Sequence, residues 1–237
     1  MHLAILMTNT DESAFAQAHP KDGEKFTRLV QLARPGWTTE VFAVKNGQFP
    51  DDMSRFDGAI ITGSPASVHS GDAWISRLLD LIRHAHDSGL PMFGACFGHQ
   101  AIAMALGGSV GPNPDGKMVH GLTENRVIET PVWARGLPDT TCLYASHKEQ
   151  VLDLPKPARI IARSQGCDVA GFAIGKRVYT TQHHPEMTAS FFAALTEEIS
   201  HDIGADVARK ALSSMTRPSD MAKFAESIAL FFEQAGD

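Results

Sequence analysis

The sequence predicts a three-layer α/β protein, in which helices cover both faces of a mostly parallel central sheet and a small antiparallel β subsheet is added to it. Two observations support this prediction. Through the first half of the chain, short apolar runs alternate with helical patterns, which is typical of βαβ units. After residue 108, short strands separated by glycine, proline and asparagine dominate, which is typical of antiparallel structure.

The first elements are defined by apolar periodicity. Residues 3–7 are uninterrupted apolar residues, which predicts a buried strand. Residues 24–33 have apolar side chains at helical spacing, and the Pro-Gly pair at 35–36 ends that helix. The β-branched and aromatic residues within 39–44 predict a second strand.

The next elements lead to a turn with a cysteine at its apex. Residues 58–62 form an apolar run, as expected of a strand that is covered on both faces. Asp72 is a candidate N-cap for the helix that follows. A strand at 90–93 and a helix at 101–106 then flank the turn that contains Cys96.

The second half is predicted to add antiparallel strands and C-terminal helices. The last helix places Phe224, Ile228 and Phe232 on one face, which favours packing on the core. We therefore expect a single domain over residues 1–237, with the helices of 188–237 packed on that core. The predicted strands lie near 123–129, 142–146, 158–164, 169–174 and 177–182, and the helices near 188–200, 205–213 and 219–234.

Composition excludes several classes of protein. The formal net charge is −6 and no long basic run occurs, so nucleic-acid binding is not expected. No run approaches eighteen apolar residues, and the apolar start lacks a basic leader, so neither a membrane span nor a signal peptide is expected. The cysteines Cys96, Cys142 and Cys167 are odd in number and far apart, which favours a reducing, cytoplasmic location.

The turn around Cys96 is the strongest candidate for chemistry. Gly94 and Gly98 flank the cysteine at i−2 and i+2, which allows a strained strand-to-helix turn that projects the thiol away from the sheet. A helix that starts behind the sulfur would favour the thiolate. The alternative is a buried structural cysteine, which is common for free thiols. The two flanking glycines favour the interpretation of Cys96 as a nucleophile.

A cysteine nucleophile needs a base and a group that orients this base. His184 and Glu186 follow an apolar strand and flank Pro185, so Glu186 could accept a hydrogen bond from His184. The alternative is a surface turn with two solvated side chains. For the oxyanion of acyl transfer, the N–H of Phe97 is the natural first donor, and the turn at 62–68 could supply a second.

Four segments together resemble the class I glutamine amidotransferases, whose sites contain a Cys-His-Glu triad. The resemblance implies a flavodoxin-like fold. Among family members, the chain most resembles stand-alone proteins that are similar to the amidotransferase domain of GMP synthase. The segments occur in family order within residues 58–187. They are Ile-Thr-Gly-Ser-Pro-Ala-Ser-Val at 61–68, Gly-Ala-Cys-Phe-Gly-His-Gln at 94–100, Ser-His-Lys-Glu-Gln-Val at 146–151 and Gln-His-His-Pro-Glu at 182–186.

The resemblance implies a role for each matching residue. Cys96 would attack the γ-amide of glutamine and form a γ-glutamyl thioester, with His184 moving the proton and Glu186 orienting His184. The backbone N–H groups of Ser64 and Phe97 would form the oxyanion hole. For His147 a structural hydrogen bond is an equal alternative to substrate contact. The residues implied in substrate binding are Gly63, Gln100, Ser146, His147 and Lys148.

The sequence departs from the family at two positions. Ser64 stands where a glycine is more common, and His183 stands where the family usually has phenylalanine or tyrosine. Strand alternation turns His183 away from His184, so we expect it to pack beside the site. We interpret His99, in the helix behind the turn, as a structural residue. No histidine, cysteine or carboxylate cluster has metal spacing, so neither a metal nor a cofactor is expected.

These residues predict an enzyme with a small-molecule substrate, glutamine or a γ-glutamyl compound. The chain has no room for a synthase domain and no Walker-type phosphate loop. Three functions remain open: a glutaminase that serves a separate synthase subunit, a free-standing γ-glutamyl peptidase, and a non-catalytic binding or regulatory protein. The last is disfavoured because both the thiol and the histidine are present. A neighbouring gene for an aminating synthase would distinguish the first two.

Overall fold

The computed structural model of the protein describes residues 1–114 and 116–235. Residues 236–237, the end of the predicted C-terminal segment, lie outside this description. Within it, nine strands form one sheet in the order β2 (Thr38–Ala43), β1 (His2–Met7), β3 (Gly58–Ile61), β4 (Met92–Ala95), β11 (Val178–Thr181), β10 (Cys167–Ile174), β9 (Arg159–Ser164), β6 (Val119–Val127) and β7 (Thr140–His147). The five strands from β2 to β11 pair in parallel, and the remaining pairs are antiparallel.

The parallel half consists of the strands that the apolar runs predict. Register is regular, with Ile5 opposite Ile60 and Ile60 opposite Phe93. The predicted boundaries differ from the observed ones by one or two residues. The strands are β1 (His2–Met7), β2 (Thr38–Ala43), β3 (Gly58–Ile61), β4 (Met92–Ala95) and β11 (Val178–Thr181).

The antiparallel strands predicted after residue 108 continue the same sheet beyond β11. Two short strands that the sequence did not indicate, β5 (Ser109–Pro112) and β8 (Glu149–Asp153), pair with each other as a small second sheet. This arrangement confirms the predicted fold class. The strands that extend the central sheet are β6 (Val119–Val127), β7 (Thr140–His147), β9 (Arg159–Ser164) and β10 (Cys167–Ile174).

Helices cover both faces of the sheet. The side chains of β1 alternate, so that Leu3 and Ile5 pack with α2 and α8 while Ala4 and Leu6 pack with α3 and α4. Asp72 stands at the N-cap position of α3, as predicted, but its side chain makes no capping hydrogen bond to the helix. The helices are α1 (Ala14–Ala18), α2 (Asp22–Ala33), α3 (Ala73–Asp87), α4 (Phe97–Ala105), α5 (Ala189–Glu198), α6 (Ser200–Ile203), α7 (Ala205–Ser214) and α8 (Met221–Ala235).

The C-terminal helices divide between two places. α8 buries Phe224, Ile228 and Phe232 against the core face that also contains Leu3 and Ile5. α5 and α7 contribute Phe192 and other side chains to a separate cluster around Tyr144 of β7. Among the described residues, no helix combines the length and the hydrophobicity that crossing a bilayer requires.

The fold collects several chain segments at one edge of the sheet. β1, β3, β4 and β11 run parallel, so their carboxyl ends lie side by side. In sheets of this kind, ligands bind at that edge. Thr8, Gly63, Cys96 and His184 follow these four strands in that order.

Candidate active site

Cys96 lies in a strained turn between β4 and α4. Its backbone has φ 51° and ψ −107°, and within the described chain it is the sole residue other than glycine with a positive φ. A side chain in this region costs energy, and such strain clusters at functional sites. The Cys96 N–H donates to the carbonyl of Thr181 (2.9 Å), which ties the turn to β11.

The flanking glycines are required by close packing. A Cβ on Gly98 would lie 2.2 Å from the carbonyl oxygen of Ile61, and a Cβ on Gly94 would lie 2.7 Å from the backbone of Gly98. No side chain fits at those distances. The glycines therefore let α4 start directly against β3 and β4, and Phe97 at its first turn has an N–H that no earlier helical turn can accept.

His184 and Glu186 form a buried pair. Their side chains are 7% and 2% exposed, and Nδ1 of His184 lies 2.7 Å from Oε1 of Glu186. The backbone N–H of His184 donates to the carbonyl of Tyr144 (2.8 Å). Burial lowers the pKa of His184, but the negative charges of Glu186 and of the Cys96 sulfur, with hydrogen bonds to both, raise it well above its ordinary value.

Gly63 lies beside both Cys96 and His184. A Cβ at this position would lie 3.0 Å from Cε1 of His184 and 3.5 Å from Cβ of Cys96. A glycine avoids this close contact, because a Cβ would press on the ring of His184. Thr8, which is fully buried at the end of β1, donates from Oγ1 to the Gly63 carbonyl (3.0 Å). Sequence reasoning missed Thr8, because a threonine after a strand has no distinguishing signal.

The segment 146–149 borders the thiol from the opposite side. The carbonyl of Ser146 lies 4.0 Å from Sγ of Cys96. Gln100 is held by its amide, which donates to the carbonyl of Glu149 (2.8 Å) and to Oε1 of Gln182 (3.2 Å). Nδ1 of His147 also lies 3.0 Å from the Glu149 carbonyl, which is the structural hydrogen bond expected as one alternative. Lys148 is exposed.

Three more histidines lie buried beside the pair. His183 is completely buried and both of its ring nitrogens lack a partner, and its ring lies 5.7 Å from that of His147. Burial lowers the pKa of His183 well below its ordinary value, and a positive charge on His147, His184 or His99 would lower it further. Burial likewise lowers the pKa of His147 to about 4 and that of His99 to about 3. Burial therefore favours the neutral form of all three rings.

One cleft of about 690 Å³ is lined by Cys96, His184 and Glu186. Every residue predicted for the site lines it except Phe97, whose side chain packs in the core against Trp74 (5.6 Å between rings). Ser64 lines the cleft, and its hydroxyl accepts from the N–H of Ala66 (3.1 Å). Across the described ranges, no group of three or more histidine, cysteine or carboxylate side chains is placed to hold a metal ion.

The fold and the site define an α/β protein that gathers a thiol, an imidazole and a carboxylate at the carboxyl edge of its parallel strands. The family model Glutamine amidotransferase class-I matches residues 28–197. The chain belongs to this family.

Individual relatives agree with the family. The chain is 30% identical to gamma-glutamyl peptidase 3 of Arabidopsis thaliana over 68% of its own length and 67% of that protein. It is 35% identical to the glutamine-hydrolyzing GMP synthase of Aeropyrum pernix over 57% of its length, but that match covers only 25% of the synthase. The crystal structure of a glutamine amidotransferase from Thermotoga maritima has the same fold, with a TM-score of 0.78, 18% identity and coverage of 99% and 97% of the two chains.

Proposed function

We propose that the protein hydrolyses the γ-amide of glutamine or of a γ-glutamyl compound through a thioester on Cys96. The observation that supports this best is the thiol at φ 51° beside the buried His184–Glu186 pair. A strained turn at the start of a helix presents a nucleophile, and a hydrogen-bonded carboxylate fixes the tautomer of its base. The strained turn and the oriented base are both typical of enzymes that catalyse acyl transfer.

The reaction follows from the positions of these groups. His184 accepts the thiol proton, and Sγ of Cys96 attacks the γ-carbonyl carbon. The N–H groups of Phe97 and Ser64 stabilise the oxyanion. The C–N bond breaks and the leaving amine or ammonia takes the proton from His184. Water then attacks the thioester with His184 as the base, the C–S bond breaks, and the Cys96 sulfur takes the proton back from His184 as glutamate is released.

Other cleft residues are proposed to hold the glutamyl end of the substrate. The amide of Gln100, which is fixed by two hydrogen bonds, and the backbone of Ser146, His147 and Lys148 border the thiol. Gly63 allows the substrate carbon to approach between Cys96 and His184, because no Cβ fills that space. A reducing compartment suits this chemistry, since the nucleophile must remain a thiol.

A free-standing γ-glutamyl peptidase is the form of this activity that we favour. The chain matches two thirds or more of the length of several gamma-glutamyl peptidases but only a quarter to a third of the GMP synthases. A cleft of about 690 Å³ also exceeds what free glutamine fills. The second candidate is a glutaminase that passes ammonia to a separate synthase, supported by the synthase relatives. We further infer that residues 1–237 act as one domain, because α8 packs on the β1 face.

The test is hydrolysis of a substrate panel by the wild-type protein and by C96A. The panel contains L-glutamine and γ-glutamyl dipeptides, and release of ammonia or amine is measured. We expect turnover by the wild type and none by C96A, with unchanged circular dichroism. Turnover by C96A near the wild-type rate would refute Cys96 as the nucleophile.

A further inference from the structure

The cleft extends from Cys96 to a wall that the proposed chemistry does not use. Its volume of about 690 Å³ lies within the ~300–1,000 Å³ of sites that hold drug-sized ligands. Beyond Gly63, Cys96 and His184, the lining comes from the connection between β1 and α2 and from the helices α5 and α6. A γ-glutamyl group on Cys96 fills one end of the cleft, so the other end is free for the leaving group.

One wall of this second end is an apolar stripe. Four apolar residues recur at four-residue spacing: Phe191 and Leu195 in α5, Ile199 between the two helices, and Ile203 at the end of α6. All four line the cleft, and all four remain partly exposed although they are apolar. Phe191 and Leu195 also pack against the cluster around Tyr144, so the stripe borders both that cluster and the cleft. An apolar wall of a cleft is typical of a ligand site.

The facing wall adds aromatic rings. The ring of Phe15 lies 4.4 Å from that of His19 and 5.8 Å from that of Phe191, and His19 meets Phe191 edge-on at 5.4 Å. Phe15 and His19 belong to the segment around α1, a helix that buries none of its residues. These three rings and the stripe define the aromatic end of the cleft.

Both walls are joined directly to the catalytic end. Thr8, which precedes the α1 segment, hydrogen-bonds the Gly63 carbonyl at 3.0 Å. On the other side, Met187 separates Glu186 from the start of α5 and itself lines the cleft. The aromatic end is therefore continuous with the space in front of Cys96.

The charges of the cleft do not favour a strongly anionic occupant. Lys25 pairs with Asp22 (2.9 Å) and Lys45 pairs with Glu12, so neither cation is free for a ligand. The acidic residues that line the cleft also outnumber the lysines. The acidic residues are Asp11, Glu12, Asp22, Glu149, Glu186 and Asp202, and the lysines are Lys21, Lys25, Lys45 and Lys148. A phosphorylated or polycarboxylate leaving group would meet no excess of positive charge.

We propose that the aromatic end is a leaving-group subsite, and that the preferred substrate is a γ-glutamyl amide whose amine part has an aromatic or large aliphatic side chain. This inference rests on the proposed function and specifies its substrate. The C–S bond forms as the C–N bond breaks, the released amine carries the proton from His184, and water later frees glutamate. The apolar part of the amine lies against Phe15 and the stripe.

The experiment compares kcat/KM for γ-Glu-Phe and γ-Glu-Gly. We expect the wild type to favour γ-Glu-Phe by about tenfold or more, the discrimination that an apolar pocket supplies. F15A should lose most of this ratio and should fold, because α1 buries no residue. I203A, at the far end of the stripe, should lower the ratio as well. F49A is the matched control: Phe49 is also half-buried but lies outside the cleft, so its ratio should equal that of the wild type.

The outcomes separate this inference from the proposed function. Equal kcat/KM for the two dipeptides, as expected if a synthase covers the aromatic end, would overturn the subsite. So would an equal loss for both dipeptides in F15A. If the wild type hydrolyses no γ-glutamyl compound, the proposed function fails instead. Calorimetry with C96A then tests the subsite alone: tighter binding of γ-Glu-Phe supports it, and equal binding of both dipeptides refutes it.

Discussion

Replacing His183 with phenylalanine tests whether this histidine is neutral in the folded protein. The ring is fully buried, neither nitrogen has a partner, and its pKa lies well below the ordinary value. The unfolded chain binds a proton at His183 below pH ~6.5, whereas the native state does not. The unfolded state therefore binds more protons, and stability falls as pH falls through this range.

The size of the effect follows from linkage. Protonation of one exposed histidine stabilises the unfolded chain by ~0.2 kcal/mol at pH 7 and by ~2.1 kcal/mol at pH 5. Between pH 7 and pH 5 the free energy of unfolding of the wild type therefore falls by ~1.9 kcal/mol because of His183 alone. H183F has no histidine at this position and does not lose this amount. The free energy of unfolding of H183F minus that of the wild type should thus rise by ~1.9 kcal/mol between pH 7 and pH 5. This double difference is independent of any packing cost of the larger ring, which is the same at both pH values.

The assay is urea unfolding at pH 7 and pH 5, followed by tryptophan fluorescence and by circular dichroism. H84F, at an exposed position of α3, is the control for the change of residue type and should follow the wild type at both pH values. A difference between H183F and the wild type that is equal at the two pH values would refute a neutral, buried His183.

Three further predictions concern the site and its supports. E186Q should fold and should lower kcat by roughly 10²–10⁴-fold in the amide-release assay, because the oriented, charged partner of the base is lost; wild-type turnover would contradict the pairing. G98A should lower the free energy of unfolding, measured in urea, by at least ~3 kcal/mol, since the new Cβ would lie 2.2 Å from a carbonyl oxygen. In G136A the new Cβ meets nothing within 4 Å, so this variant should match the wild type. T8V should cost ~1–3 kcal/mol of stability and lower kcat, because the buried carbonyls of Thr62 and Gly63 lose the Thr8 hydroxyl, and Gly63 keeps only the donor from Thr62 Oγ1; unchanged values for both would refute this support.

Most of the parallel half of the fold could be predicted because β1, β3, β4 and β11 are buried on both faces, whereas the edge strand β2 was indicated by its β-branched and aromatic residues. Residues 3–7 and 58–61 are apolar without interruption, and glycines at 94 and 98 mark a close approach of helix and sheet. β5 and β8 could not be predicted in this way. β5 has four residues, of which two are glycine and proline, and β8 is polar at its start, so neither gives a clear period.

The site was predicted only as far as its motifs extend. Cys96, His184 and Glu186 lie in segments with recognisable neighbours, and the structure places them in one cleft. Phe15 and the stripe along α5 and α6 gave no signal of a binding site in the sequence, because apolar residues at helical spacing normally indicate burial in the core. Whether such residues face a core or a cleft depends on which element crosses above them, and that is fixed by tertiary contacts.

The antiparallel half explains how residues 146–149 reach the thiol. β7 is the edge strand of the sheet, four strands away from β11. Yet the N–H of His184 donates to the carbonyl of Tyr144 (2.8 Å), so β7 returns to the end of β11 and the half-sheet curls back on itself. This closure places the carbonyl of Ser146 4.0 Å from Sγ of Cys96. The parallel strands therefore supply the reacting groups, and the curled antiparallel strands supply the surface that faces them.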